Sequence, residues 1–289
     1  MANPIIREKI EKREFFVAPG LQDMMAAAVA KKIGFDIVYG TGYWLTASCY
    51  GLPDAGIATY TQMLDRVSTL AKSSDAALIA DADTGYGGLL NVHHTVRGYE
   101  AAGVSAIQLE DQEFPKKCGH TPYKRCVSLD DMVEKIKVAS DARIDKKNTL
   151  IIARTDIYQA EGLDSALRRG EAYAEAGADI IFVEALRTEE EMHRACRTIA
   201  KPMLANMANG GKTPILTATA LEEIGYACAI FPSMTSLAAI AAMETSLRTL
   251  KETGRSLTPD VPMFDFEEFC RMIGFEDVWA FDKKWGRAE

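Results

Sequence analysis

Asp81 and Asp83 stand two residues apart in the run Asp81-Ala82-Asp83, and residues so spaced on a strand point to the same face. Both carboxylates could therefore aim into one cavity, where Glu110 from a neighbouring strand could join them. Three converging carboxylates without a histidine suit a hard, oxygen-seeking cation, Mg2+ or Mn2+, rather than zinc. The same acids could instead be paired with Arg154 or with lysines. A second cluster is Lys116-Lys117-Cys118-Gly119-His120. A thiol beside lysines and a histidine should ionise more readily, which suits proton transfer or nucleophilic attack. The bland alternative is a basic surface loop with an incidental cysteine. Pro115 and Gly119 suggest a hinged loop able to close over a substrate.

A third run, Tyr39-Gly40-Thr41-Gly42-Tyr43, is followed by Gly51-Leu52-Pro53-Asp54. Glycines there would let backbone N–H groups approach a carboxylate, although such loops also arise for geometric reasons alone. Asn209-Gly210-Gly211-Lys212-Thr213 fails as a phosphate loop, because Asn206 stands where that pattern requires its first glycine. His93, His94 and His193 fall on expected helices, away from the polar strand ends. Met24 and Met25 read as core.

These groups need a scaffold, and the spacing supplies one. Short apolar runs recur at Phe15–Ala18, Asp36–Gly40, Ala77–Asp81, Ala106–Glu110, Leu150–Arg154, Ile180–Glu184, Met203–Asn206 and Cys228–Phe231. Helical periodicity fills most of the gaps, over Leu21–Ile33, Met63–Ala71, Val92–Ala102, Leu129–Ala142, Leu163–Ala176, Glu189–Ile199 and Ala218–Ile224. Gly34, Gly103, Gly177 and Gly225 each follow a helix and precede a strand, as left-handed C-terminal caps would. Eight such units favour a closed (β/α)8 TIM barrel of the α/β class, with an open doubly wound sheet as the fallback. In that frame Asp81, Asp83, Glu110, Asp111, Arg154, Asp156, Glu184 and Asn206 gather at the C-terminal strand ends, where barrel chemistry is done. With no Pro/Gly/Ser-rich linker, residues 1–289 read as one domain. After Gly254 the pattern changes, and seven aromatics fall between Phe264 and Trp285. This C-terminal extension, 255–289, would cap its own barrel or pack on a neighbouring subunit.

Composition bounds the rest. With 48% hydrophobic and 26% charged residues in 289, the chain is globular rather than disordered. A net charge of −8 argues against a nucleic-acid partner. The six cysteines show no CxxC or zinc-type spacing, and residues 1–13 alternate apolar and charged residues without a secretory core. No apolar run is long enough to span a membrane. The expected location is the cytoplasm, with reduced thiols.

Taken together, Asp81-Ala82-Asp83-Thr84-Gly85-Tyr86-Gly87, Gln108-Leu109-Glu110-Asp111-Gln112, Lys116-Lys117-Cys118-Gly119-His120 and Ala153-Arg154-Thr155-Asp156 resemble the isocitrate lyase/phosphoenolpyruvate mutase superfamily. The cysteine-containing loop is similar to its carbon–carbon lyase branch, which includes 2-methylisocitrate lyase, 2,3-dimethylmalate lyase, oxaloacetate acetylhydrolase and petal-death proteins. The resemblance implies a barrel assembled as a homotetramer with C-terminal helices exchanged between subunits. It implies Mg2+ held by Asp83, with Asp81 and Glu110 acting through bound water. Thr41, Gly42 and Tyr43 would contact the pyruvate-forming end of a small dicarboxylate, and Asp54, Lys116, Gly119, His120, Glu184 and Asn206 would complete its site. Arg154 would bind a carboxylate or the hydroxyl oxygen, and Cys118 would be the general acid. Tyr39 is a candidate for receiving the hydroxyl proton, and Glu110 counts with the catalytic set as well as with the metal.

The reaction so implied is Mg2+-dependent cleavage of the C2–C3 bond of a 2-hydroxy dicarboxylate to pyruvate and a carboxylic acid. Hydrolysis of oxaloacetate to oxalate and acetate is the main rival. Phosphonopyruvate-type chemistry, a Schiff-base aldolase and a non-catalytic binding barrel fit less well, since the cysteine and metal motifs are intact and no lysine ends a strand. One departure stands out: 2-methylisocitrate lyases have serine followed by glycines where this chain has Thr41-Gly42-Tyr43. A ring at 43 should shrink or reshape the pocket.

Overall fold

A computed structural model describes residues 2–119, 121, 123–257 and 259–286. Eight parallel strands form the barrel expected from the sequence: β1 (Phe16–Leu21), β2 (Ile37–Gly40), β3 (Ala77–Asp81), β4 (Ala106–Glu110), β5 (Leu150–Thr155), β6 (Ile180–Val183), β7 (Leu204–Asn206) and β8 (Cys228–Phe231). Neighbours pair in the order β6-β5-β4-β3-β2-β1-β8-β7. The remaining seam between β6 and β7 is joined by a parallel bridge, Ile181 to Met203, and the Ile181 amide donates to the Pro202 carbonyl at 2.9 Å. The barrel is thus nearly closed.

The helices are α1 (Ile5–Lys12), α2 (Met24–Ile33), α3 (Gly42–Tyr50), α4 (Tyr60–Ser73), α5 (Leu89–Ala101), α6 (Leu129–Ala142), α7 (Tyr158–Glu175), α8 (Glu189–Thr198), α9 (Ala218–Ile224), α10 (Met234–Thr253), α11 (Phe266–Met272) and α12 (Phe275–Trp285). Side-chain oxygens of Asp23, Thr59, Ser128, Thr188 and Thr217 accept amides of the first turns of α2, α4, α6, α8 and α9, each cap contributing ~1 kcal/mol. Gly34, Gly103, Gly177 and Gly225 all have positive φ, so the recurring helix-to-strand glycine does the work expected of it. Gly162 breaks α7 with φ 80°, which is why the sequence pattern begins only at Leu163.

Strand alternation divides the core in two. Ile37, Tyr39, Ile79, Ile152, Ile180, Phe182 and Ile230 fill the barrel interior, while Val38, Leu78, Ile107, Ile151, Ile181 and Ala229 pack outward against the helices. The N-terminal segment, expected only to lack a secretory core, forms α1 and plugs the bottom of the barrel. Ile6 is fully buried in the interior cluster, and Arg7 donates to Asp179 at 2.7 Å. The Tyr39–Tyr43 run, expected as a glycine-rich loop, turns into helix α3 at Gly42. Met25, expected in the core, is 61% exposed. Along α10 only Ser236 is buried, and Leu237, Ile240, Met243, Leu247 and Leu250 are exposed, as are Phe266, Trp279, Phe281 and Trp285 in the last two helices.

Candidate active site

The same alternation that fills the interior runs on into polar residues. Asp81 follows Ile79, Glu110 follows Gln108, Arg154 follows Ile152, and Asn206 follows Leu204, each two places further along its strand and so on the inner face. Glu184 lies one residue beyond β6 in phase with Phe182. Asp111, one place out of phase with Glu110, points outward, where its Oδ2 accepts from Thr155 at the end of β5 and from Tyr173 and Arg169 of α7. One residue of register thus separates a site acid from a structural one.

Above the strand ends lies a cavity of about 310 Å³. Tyr39, Thr41, Tyr43 and Asp54 line it from the β2 side. Asp81, Lys116, Cys118 and Gly119 follow, then Arg154, Glu184 and Asn206. Gly42 stands behind Thr41 against Asp81, whose Oδ2 would lie 2.7 Å from any Cβ at that position. Glu110 and Asp83 are buried just below the lining. His120 lies outside the described residues.

Arg154 is the electrostatic centre. Its Nε and Nη2 fork onto Asp156 at 2.8 and 2.9 Å, Nη1 is 3.4 Å from Glu110, and Nη2 is 3.3 Å from Glu184. The guanidinium rests 5.1 Å over the Phe182 ring. Burial pushes the Asp156 carboxyl up, but Arg154 and Lys124 overcome this and hold it at about 2. Glu184 also accepts from the Asn206 amide at 3.0 Å, joining β6 to β7.

The aspartate pair departs from its expected geometry. β3 ends at Asp81, and Asp83 lies beyond it with φ 48°, so strand alternation does not place it. A turn does: the Asp83 amide donates to Asp81 Oδ1 at 3.0 Å and its carbonyl receives the Glu110 amide at 2.9 Å. Aspartate tolerates this left-handed backbone better than most residues. Lys116 spans Asp54 and Asp83, 2.8 Å from the latter. Burial pushes Asp83 up to about 6, with Lys116 pulling it back and Asp81 and Asp54 adding to the rise.

Among the described residues no three His, Cys, Asp or Glu side chains converge as a protein-only metal cage would. The donor set nevertheless fits Mg2+, which keeps several waters and takes only one or two carboxylates directly. Both Glu110 oxygens are buried and accept no hydrogen bond, leaving lone pairs that a cation with its waters would satisfy.

Two proton-carrying groups have charged neighbours. Beside Cys118, Lys116 pairs with Asp54 and Asp83, and Lys117 donates to the Tyr123 carbonyl at 3.4 Å and lies over its ring. Burial, and then the Asp81 charge, push the Tyr39 phenol well above its usual range. Its hydroxyl donates, weakly, to Gln108 at 3.4 Å.

Sequence reasoning missed the apolar wall. Trp44, Phe182, Ile230, Pro232 and Leu237 line the cavity together with the loop Asn209-Gly210-Gly211, whose Asn209 amide is held by Ser233 at 2.9 Å. Strand parity alone could have pointed Phe182 and Ile230 inward; nothing polar marks Leu237, which comes from α10.

The chain is 45% identical over 273 residues to 2,3-dimethylmalate lyase of Eubacterium barkeri, covering 94% of each. It is 42% identical to 2-methylisocitrate lyase of Aeropyrum pernix, over 98% of this chain and 91% of that one. Its fold matches oxaloacetate acetylhydrolase in complex with 3,3-difluorooxalacetate with a TM-score of 0.92 at 33% identity, covering 98% of this chain and 96% of the other. It also matches phosphonopyruvate hydrolase complexed with oxalate and Mg2+, with a TM-score of 0.88 at 29% identity over 99% and 100%. These likenesses bear out the resemblance to the carbon–carbon lyase branch and make the chain a carbon–carbon lyase. Residues 6–251 match the family described as phosphoenolpyruvate phosphomutase, and the chain belongs to that family.

Proposed function

We propose that this lyase cleaves the C2–C3 bond of a small 2-hydroxy dicarboxylate of the 2,3-dimethylmalate or 2-methylisocitrate type, releasing pyruvate and a carboxylic acid. The observation that carries the reading is that Cys118, Arg154 and Asp81 line one cavity. Arg154 binds the carboxylate or hydroxyl oxygen of the pyruvate-forming half, oriented by Asp156 and Phe182. The amides of Thr41, Gly42 and Tyr43, at the N-terminal end of α3, face the same half. Asp83 would hold Mg2+ directly and Asp81 and Glu110 through water; when bound, the ion supplies Lewis-acid stabilisation of oxygen-centred charge. The 2-hydroxyl gives its proton to a base of the site, and its oxygen forms the C2 carbonyl as the C2–C3 electron pair passes to C3 of the departing acid. Cys118 returns a proton to that carbon. Asp54 and Lys116 fix the floor, and Gly119, Glu184 and Asn206 close the side.

The exposed apolar faces of α10, α11 and α12 support assembly of one-domain subunits into a homotetramer that exchanges 255–289. Among the described residues no helix is long and apolar enough to cross a membrane. Six cysteines without a disulfide support a cytoplasmic setting.

The likeness to an acetylhydrolase favours a second reading, hydrolysis of oxaloacetate at the same site. Product analysis across malate, 2,3-dimethylmalate, 2-methylisocitrate, isocitrate and oxaloacetate separates the two. Pyruvate from a methylated substrate is expected; oxalate from oxaloacetate, with no pyruvate from the others, would overturn the lyase proposal.

A further inference from the structure

Between β4 and α6 the chain carries Cys118 over the cavity, and one buried lysine outside that cavity ties it down. Lys124 is 4% exposed at its side chain; its Nζ lies 2.9 Å from Asp156 Oδ1 and also donates to the Gly119 carbonyl. Gln159 donates to the same carbonyl at 3.2 Å. Asp156 Oδ1 is therefore shared by a cation of the site, Arg154 Nη2 at 2.9 Å, and a cation of the loop. The carboxylate cannot drift, because its own backbone amide donates to Asp111 Oδ1 at 2.8 Å, and Asp111 is anchored by Thr155, Tyr173 and Arg169.

We infer that Lys124 is a positioning residue that latches the Cys118–Gly119 turn onto Arg154 through the shared carboxylate of Asp156. Substrate-binding cation and acid-bearing loop are then set by one group, so Cys118 is in place only when the guanidinium is. The inference rests on the reading of Cys118 as the acid and deepens it. Replacing Lys124 leaves Asp156 still forked by Arg154, so the buried carboxylate keeps a partner and the barrel keeps its core. What is lost is the lysine's tie to the loop, with the Gln159 bond left in place.

The test is peptide-resolved alkylation of the full chain by iodoacetamide, comparing the wild type with Lys124→Met and Lys124→Arg. Cys118 is half-buried in the latched loop, and Cys49, also half-buried, lies on α3 as an internal control. In Lys124→Met the Cys118 rate is expected to rise about tenfold while the Cys49 rate stays unchanged; an arginine should restore near-wild-type protection. A merely structural role would raise both rates together. Gln159→Ala, on an exposed position, removes the second bond to the same carbonyl and should raise the Cys118 rate two- to threefold even if the methionine variant folds poorly. An unchanged Cys118 rate in both variants, or a parallel rise at Cys49, overturns the latch. Alkylation needs no turnover, so a chain that releases no pyruvate can still show the latch, and an active chain can lack it.

Discussion

Gly119 lies so close to Arg154 that a Cβ built on the glycine would sit 2.1 Å from Nη2. The guanidinium cannot step aside, since Asp156 and Glu184 grip it. This glycine is required for contact with the site cation, not for a left-handed backbone. Gly119→Ala should therefore push the Cys118 loop off the site. We expect kcat/KM to fall by about 10²-fold, the scale of an ångström's misplacement at a reacting centre. Thermal melting should move little, because the loop carries no core residue. Steady-state kinetics beside a melt checks both.

Cys118→Ser keeps the shape of the side chain and removes the thiol proposed as the acid. Turnover should drop about 10²–10⁴-fold, the usual contribution of a positioned general acid, with substrate KM changed much less. The purified variant, assayed for pyruvate and for melting temperature, gives the answer. A near-wild-type rate would take Cys118 out of the mechanism.

Removing divalent ions with EDTA should abolish activity, and Mg2+ or Mn2+ should restore it. Asp83→Asn tests the anchor while respecting its φ of 48°, since asparagine also accepts that backbone. The variant should need a much higher Mg2+ concentration for half-maximal rate, read from a titration of activity against the ion. Activity untouched by exhaustive chelation would contradict the assignment.

The barrel was legible because its elements obey local rules. β3, β4 and β8 end where the apolar runs end, and each of the four cap glycines has positive φ. α3 was hidden because Thr41-Gly42-Tyr43 reads as loop, whereas Gly42 here is a first-turn residue pressed on Asp81. Asp83 was found for an incorrect reason, since it is a turn residue rather than a strand residue. The partners of Lys116 were not legible, because Asp54 and Asp83 are distant in sequence and only folding brings them near. Strand parity turns Phe182 inward without marking it as a cavity wall, and nothing marks Leu237, because an apolar cavity wall has the same composition as any other core.

Asp156 offers a stability test with a definite sign. Its folded carboxyl is held at about 2, below the ~3.9 of an unfolded aspartate. A depressed folded value contributes stability above pH ~4, and that contribution is lost as pH falls toward the folded value. Asp156→Asn should therefore cost about 2–3 kcal/mol at neutral pH, and the gap to wild type should narrow steadily on acidification from pH ~4 to ~2. Urea melts of both proteins across that range measure it. A gap that stays constant with pH would mean the carboxylate's charge is not what stabilises the fold.

Tyr43 is the residue through which this chain should choose its substrate. It opens α3, lines the cavity 39% exposed, and packs at 4.9 Å against Trp44. The ring lines the same cavity as Cys118, the proposed acid that would meet C3. A substituent on C3 has to share that space with the ring. Methyl leaves room; the carboxymethyl group of 2-methylisocitrate demands more. Tyr43→Gly should then raise kcat/KM for 2-methylisocitrate relative to 2,3-dimethylmalate by about 10-fold or more, the range a methylene-sized change in a pocket commands. The helix should tolerate it at a cost of about 0.5–1 kcal/mol, because the position lies in the first turn. Competition between the two substrates in one reaction gives the ratio directly. If the ratio does not move, the C3 substituent does not meet the ring, and other lining side chains such as Phe182 and Leu237 set the choice instead.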